Sequence, residues 1–297
     1  MTIEELQKRF FNGNCSTLKS KTDIRDYKLS YQTTEDVIIP DEFELETDIV
    51  KNQGQTGCCA SFSLSYVIEH LKKLFTKVFT ELAPCFIYSQ KSDHTSSGME
   101  LREALKIATN IGVCRNELFP YIDDIPTIFD DLNKSDIDSL YTDAANYKAM
   151  KYAQLTDEKS IKLSLMHNGF IYAGIEWDDD NLYSSVDISE NPYDYEIHIE
   201  KGTHSVGGHA ITIIGWNSFG WKFLNSWSDS WANNGKAVLS YKYPVWEFWS
   251  VIGEAQEPTD ANIIKDVVPV IKKPSDNHIY QLIAKFVNWI INLFKNK

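Results

Sequence analysis

Positive charge is scarce in this chain: 29 Lys and Arg stand against 42 Asp and Glu among 297 residues, a net charge of −13 at pH 7. Such a surface lacks the basic face that a phosphate backbone requires, which excludes nucleic acid as a partner and mildly favours basic substrates. The first ten residues, Met1 to Phe10, place acids early and hold no continuous apolar run, so they do not form a secretory signal. Cysteine is sparse as well. The five cysteines, Cys15, Cys58, Cys59, Cys85 and Cys114, are odd in number and irregular in spacing, which excludes a disulfide framework and points to a reducing compartment. The expectation is a cytoplasmic protein. Internal repeats and low-complexity tracts are also absent. The apolar (43%) and charged (24%) fractions are those of an ordinary globular chain, long enough for one large domain or two small ones.

What is present centres on one run, Asn52-Gln53-Gly54-Gln55-Thr56-Gly57-Cys58-Cys59-Ala60-Ser61-Phe62-Ser63. A turn with two glycines ends at paired cysteines, and from there apolar residues recur at Phe62, Tyr66, Val67, Leu71 and Leu74, the period of a helix. Cys59 therefore falls in the first turn of a long helix, where unpaired N–H groups and the macrodipole favour a thiolate. Gln53, six residues upstream, is within reach of that sulfur as an oxyanion donor. On its own the run equally describes a turn leading into a core helix with inert cysteines.

The chain divides into an N-terminal extension (1–38), a folded body (39–255), a linker containing Pro258, Pro269 and Pro274 (256–277), and a C-terminal amphipathic helix (278–297). In the body, helices are predicted from Cys59, from Leu82 with Pro84 in the first turn, and over 99–110. Past a short helical stretch at 162–166, strands are predicted at 170–175, 210–216, 220–224 and 235–241, with a polar loop over 178–192. Helices first and strands later is the α+β arrangement, two lobes in one chain. In the last helix Gln281, Lys285, Asn288 and Asn292 form one narrow polar stripe. It is too short and interrupted to span a bilayer, which leaves packing on the body, a membrane interface or a partner open.

Two further segments carry chemistry. Gly207-Gly208-His209-Ala210 puts an imidazole at the start of a strand behind flexible backbone, suited to proton transfer near neutral pH; His204 competes for that role. Leu224-Asn225-Ser226-Trp227, followed by Trp231, offers an amide that holds an imidazole in one tautomer and indoles that exclude water.

Together these blocks resemble the papain-family cysteine peptidases. Gln53-Gly54-x-x-Gly57-x-Cys59-x-x-Phe62-Ser63 is similar to their active-site segment. Gly208-His209-Ala210 with Ile213-x-Gly215-Trp216 resembles their histidine strand, and Asn225-Ser226-Trp227-x-x-x-Trp231-x-x-x-Gly235 their asparagine segment. Asp26-Tyr27 and Ile39-Pro40-x-x-Phe43 are closer to bacterial and phage-type members. The resemblance implies a two-lobed fold, a helical lobe and an antiparallel β half-barrel lobe with a cleft between them. It implies a cysteine endopeptidase working through a thioester, without metal or organic cofactor, on peptide or protein substrates. Cys59 is the implied nucleophile, His209 the base and acid, Asn225 the orienter, Gln53 the oxyanion donor and Trp227 the shield. Gly98, Gly208, Ala210 and Trp227 are implied to border the substrate, Gly98 through backbone hydrogen bonds.

The chain departs from that family in several places. Thr56 replaces a cysteine, Ala60 an aromatic, Ser228 and Ala232 preferred glycines, and Cys58 stands beside the nucleophile. An open cleft endangers a cell, so residues 1–38 are expected to fold across it. A weakly catalytic binding protein acting through its last helix, or a thioester-forming ligase, are the alternatives.

Overall fold

The computed structural model describes residues 15–33, 37–95, 97–178, 185–188, 195–203, 205–253 and 267–272. The C-terminal helix predicted from sequence, and His204, lie outside them, as does most of the predicted loop over 178–192.

The element that organises the rest is α1, Cys59–Thr76. Its sequence holds no Gly or Pro, and its polar positions up to Ser65 are small serines that pack inward. Every residue from Cys59 to Leu71 is buried. It stops where Lys77 turns left-handed (φ 63°) and returns its N–H to Lys73 O at 2.8 Å. Short helices surround it: α2 (Pro84–Ser89), α3 (Leu101–Asn110), α4 (Ile125–Lys134) and α5 (Ile137–Ala144). The last two were not separated by sequence reading, although Ile125, Ile128, Phe129 and Leu132, and Ile137, Leu140, Tyr141 and Ala144, recur at helical spacing. Asp124 and Asp136 cap them, accepting from Thr127 N and Ser139 N.

The second lobe is a sheet built from β1 (Lys28–Thr33), β2 (Phe43–Glu44), β3 (Lys151–Leu155), β4 (Ile171–Asp178), β5 (Ser185–Ile188), β6 (Tyr195–Ile199), β7 (Ser205–Trp216), β8 (Gly220–Leu224), β9 (Lys236–Ser240), β10 (Val245–Ile252) and β11 (Val267–Lys272). Its order is β11-β1-β3-β10-β4-β7-β8-β9-β6-β5, with β2 on β7. Pairing is antiparallel except at β1–β3 and β6–β9. Helix α6 (Glu158–Asn168) covers one end.

Two strands fall outside the body as the sequence delimits it. β1 comes from the N-terminal extension and buries Leu29 and Tyr31; β11, from the stretch read as a linker, pairs with it residue for residue. Alternating apolar positions at 28–33 and the run Val267-Val268-Pro269-Val270-Ile271 supply the β pattern.

The lobes meet along α1 and β7. Ser63 Oγ donates to Ala210 O (2.8 Å), Thr212 Oγ1 to Ser63 O (3.0 Å), and Tyr172 OH to Ala60 O (2.9 Å). One apolar cluster joins the helices to the near face of the sheet, with Phe62, Phe86, Ala210 and Trp249; a second, with Ile175, Ile213, Phe223 and Trp231, fills the far face.

Candidate active site

The first turn of α1 is set by the residues just before it. Lys51 is buried with its ammonium paired to Glu69 and donating to Ser65 Oγ (3.2 Å) and Leu82 O (2.9 Å). Glu69 in turn accepts from Leu82 N at 2.7 Å. This pair bolts the start of the turn to the middle of α1. From there Gln53 N donates to Ser226 O (2.8 Å) and Ser228 N to Lys51 O (3.0 Å). The turn and the Asn225 segment are thereby zipped together. Gly54 takes a left-handed φ of 54°. At Gly57 a Cβ would lie 2.9 Å from Gly98 N and overlap the Ser16 hydroxyl, so only glycine lets the chains pass this closely.

Cys59 opens α1, and no side chain caps its first N–H groups. The residue is fully buried. Burial by itself pushes a thiol up, yet the His209 imidazole, the Thr17 hydroxyl and the Ala210 N–H outweigh it and bring Cys59 down to about 6. Cys58 shows the opposite balance: burial raises its thiol well above the ordinary value. Adjacent in sequence, the two sulfurs differ because only one faces the imidazole.

His209 lies on β7 opposite Ile175. Its Nε2 is 2.8 Å from Asn225 Oδ1, which also accepts Ser226 N at 2.8 Å. An oxygen already serving as acceptor fixes Nε2 as the protonated nitrogen and leaves Nδ1 for the sulfur. Nδ1 has no hydrogen-bond partner among the described residues. Trp227 stacks on the ring at 4.6 Å, and Trp177, which sequence reading missed, closes its edge at 5.3 Å. Gln53 is fully buried, its amide oriented by Nε2 donating to Thr56 O (2.8 Å) and Oε1 accepting from Ser226 Oγ (2.6 Å).

An extended stretch from the N-terminal extension lies over these groups. Thr17 Oγ1 is 2.8 Å from Cys59 Sγ, and Thr17 N donates to Gly208 O at 2.8 Å. Leu18 N donates to Met99 O (3.1 Å) and Ser20 N to Glu247 Oε1 (2.9 Å). Asp26 forms a buried ion pair with Arg102. At Gly208 a side chain would strike Thr17 O and the Trp246 ring. Gly98 lies against the Ser16 backbone of that segment. Its N–H donates to Tyr88 OH (3.2 Å) and its carbonyl accepts from Lys91 Nζ (2.6 Å), so the carbonyl offered to the groove is Met99's. Ala210, fully buried, borders the same groove beside the sulfur.

Among the described residues no group of three or more His, Cys, Asp or Glu is placed to hold a metal ion, and no helix is long and apolar enough to cross a membrane. A family model described as papain family cysteine protease matches residues 39–243. Cathepsin K from Mus musculus is 25% identical over 197 residues, covering 64% of this chain and 55% of that protein, so the match spans about half its length. A probable cysteine protease, RDL3 of Arabidopsis thaliana, is 23% identical, covering 99% of this chain and 75% of that one. The crystal structure of xylellain, a cysteine protease from Xylella fastidiosa, superposes with a TM-score of 0.65 at 20% identity, covering 83% of this chain and 98% of xylellain.

Proposed function

The chain belongs to the papain family of cysteine proteases, and we propose that it is a cysteine endopeptidase with Cys59 as nucleophile. The observation that carries this reading is the His209 ring held on Asn225 Oδ1 at 2.8 Å and stacked on Trp227, beside the buried Cys59 whose thiol that imidazole lowers. The thiol's proton passes to His209 Nδ1, so the thiolate forms at neutral pH without an external base and the imidazolium holds the proton that the amine later takes. The thiolate attacks the peptide carbonyl carbon, and the oxyanion takes hydrogen bonds from the Cys59 N–H and the Gln53 amide. The intermediate collapses, the C–N bond breaks, and the amine leaves with a proton from His209. Water, giving its proton to His209, then attacks the thioester and releases the acid. Asn225 keeps the ring in one tautomer, and Trp227 keeps water from that hydrogen bond.

The same reading makes residues 15–26 a restraint. A hydroxyl, not a carbonyl carbon, is what Thr17 presents to the sulfur, so the segment occupies the groove without offering a bond to cleave.

Labelling with a thiol-reactive epoxysuccinyl peptide, alongside hydrolysis of a generic peptide by the wild type and Cys59→Ala, tests the assignment. Label on Cys59 and hydrolysis lost in the variant are expected; hydrolysis that survives Cys59→Ala contradicts it.

A further inference from the structure

We propose that Lys91 is a positioning residue for the reaction: it fixes the Gly98–Met99 peptide in the one orientation that turns the polar groups of Met99 to the groove. The inference rests on the peptidase reading and adds a residue which that reading does not use. Lys91 is buried, an uncommon place for a lysine. It lies just past the last turn of α2, where its N–H donates to Tyr88 O at 3.2 Å, and its ammonium packs over the Tyr88 ring, 4.8 Å from the centroid. From there Nζ donates to Gly98 O at 2.6 Å, while the Tyr88 hydroxyl accepts from Gly98 N at 3.2 Å. One ammonium and one phenol thus hold both polar groups of Gly98 on the side away from the groove.

The consequence falls on the next residue. A trans peptide is planar, with its C=O and N–H on opposite edges, and the described residues hold no cis bond. Turning Gly98 O toward Lys91 therefore turns the Met99 N–H the other way. The Met99 carbonyl already serves the groove, accepting Leu18 N at 3.1 Å from the segment that lies over Cys59. A peptide that takes the segment's place meets the same strip. Gly98, at a left-handed φ of 84°, has no side chain whose packing could hold this orientation. A charge-assisted hydrogen bond to its carbonyl holds it instead. The rival role for Lys91 is to neutralise Asp93 and Glu103. Both acids have donors of their own: Asp93 accepts from Thr95 N and Oγ1, Glu103 from Ser92 N and Oγ.

The experiment uses the full chain carrying Thr17→Ala and Asp26→Ala to loosen the segment, with working sites counted by iodoacetamide labelling of Cys59. Two substrates are compared: a peptide extending four residues ahead of the cleaved bond, and a single-residue ester too short to reach Met99. Adding Lys91→Met is expected to lower the peptide-to-ester ratio of kcat/KM about tenfold, through the KM of the peptide rather than its kcat. Lys91→Arg keeps a charged donor, and the cavity of about 620 Å³ lined by Lys91, Gly98 and Met99 has room for its longer side chain. It is expected to recover most of the ratio. Should Lys91→Met fail to fold, Tyr88→Phe decides, with an expected fall of about threefold in the same ratio. An unchanged ratio, the result if Lys91 serves only the stability of the fold, overturns the inference and leaves the peptidase reading standing. So does a loss carried by kcat. A parent labelled at Cys59 that cleaves neither substrate overturns the peptidase reading itself.

Discussion

The hydroxyl of Thr17 lies 2.8 Å from the sulfur of Cys59, 42 positions further along the chain. The segment around it gains little from apolar burial, since Leu18 is 47% exposed, and is held by hydrogen bonds and the Arg102–Asp26 pair. Removing a hydrogen bond to a charged group costs about 1.5–3 kcal/mol. Thr17→Ala with Asp26→Ala is therefore expected to raise kcat/KM roughly ten- to a hundredfold, measured on a generic fluorogenic peptide. Unchanged turnover contradicts the restraint. Point variants suit this test better than deleting residues 1–38, because deletion removes β1 with its buried Leu29 and Tyr31.

Lys51 and Glu69 form a buried ion pair beneath the Gln53 turn. Lys51→Met leaves a carboxylate buried without its cation, at a cost of roughly 3–5 kcal/mol. Urea unfolding is expected to show that loss, with a fall in kcat from a loosened Gln53; a midpoint unmoved by the substitution speaks against the pair's role.

Ser228 takes a left-handed φ of 69°. That region costs an L-residue about 1–2 kcal/mol. Ser228→Gly is expected to be neutral to stabilising by up to about 1 kcal/mol, whereas Ser228→Val, β-branched, loses about 1–2 kcal/mol. Thermal unfolding of the two variants separates them, and equal midpoints contradict the strain.

His70 is buried against Phe170, with ring centroids 3.8 Å apart, and burial lowers its pKa to about 4. A depressed folded-state value means that the unfolded chain binds the proton first. Stability is whole above about pH 6.5 and drains as pH falls toward 4, by up to about 3 kcal/mol. His70→Phe is expected to flatten that part of the stability–pH curve; an unchanged slope assigns it to other groups.

The sequence made α1 and the strands predicted at 170–175, 210–216 and 220–224 legible, because glycine-bounded apolar runs leave few alternatives; the structure extends the first two strands, to Asp178 and back to Ser205. Gln53, Cys59, His209 and Asn225 were singled out as residue types whose chemistry fits together; in the fold His209 lies against Asn225 and Gln53 against the Asn225 segment. Thr17, Trp177 and Glu247 were not. A threonine in a polar stretch, a tryptophan at a strand end and an acid between tryptophans carry no local signal; each acquires meaning only from strands that meet across the sheet or from a segment crossing the groove. Strand β10 was also missed, although Val245, Trp246, Phe248 and Trp249 are strand-forming residues; it pairs with β3 and β4.

The most direct test of the thiolate at Cys59 is the pH dependence of its alkylation by iodoacetamide, followed by peptide mass mapping. The prediction is modification at Cys59 alone, rising with a midpoint near pH 6, while Cys58, Cys85 and Cys114, all raised by burial, stay unmodified. A midpoint in the ordinary thiol range, about 8.5, or modification falling first on Cys58, contradicts it.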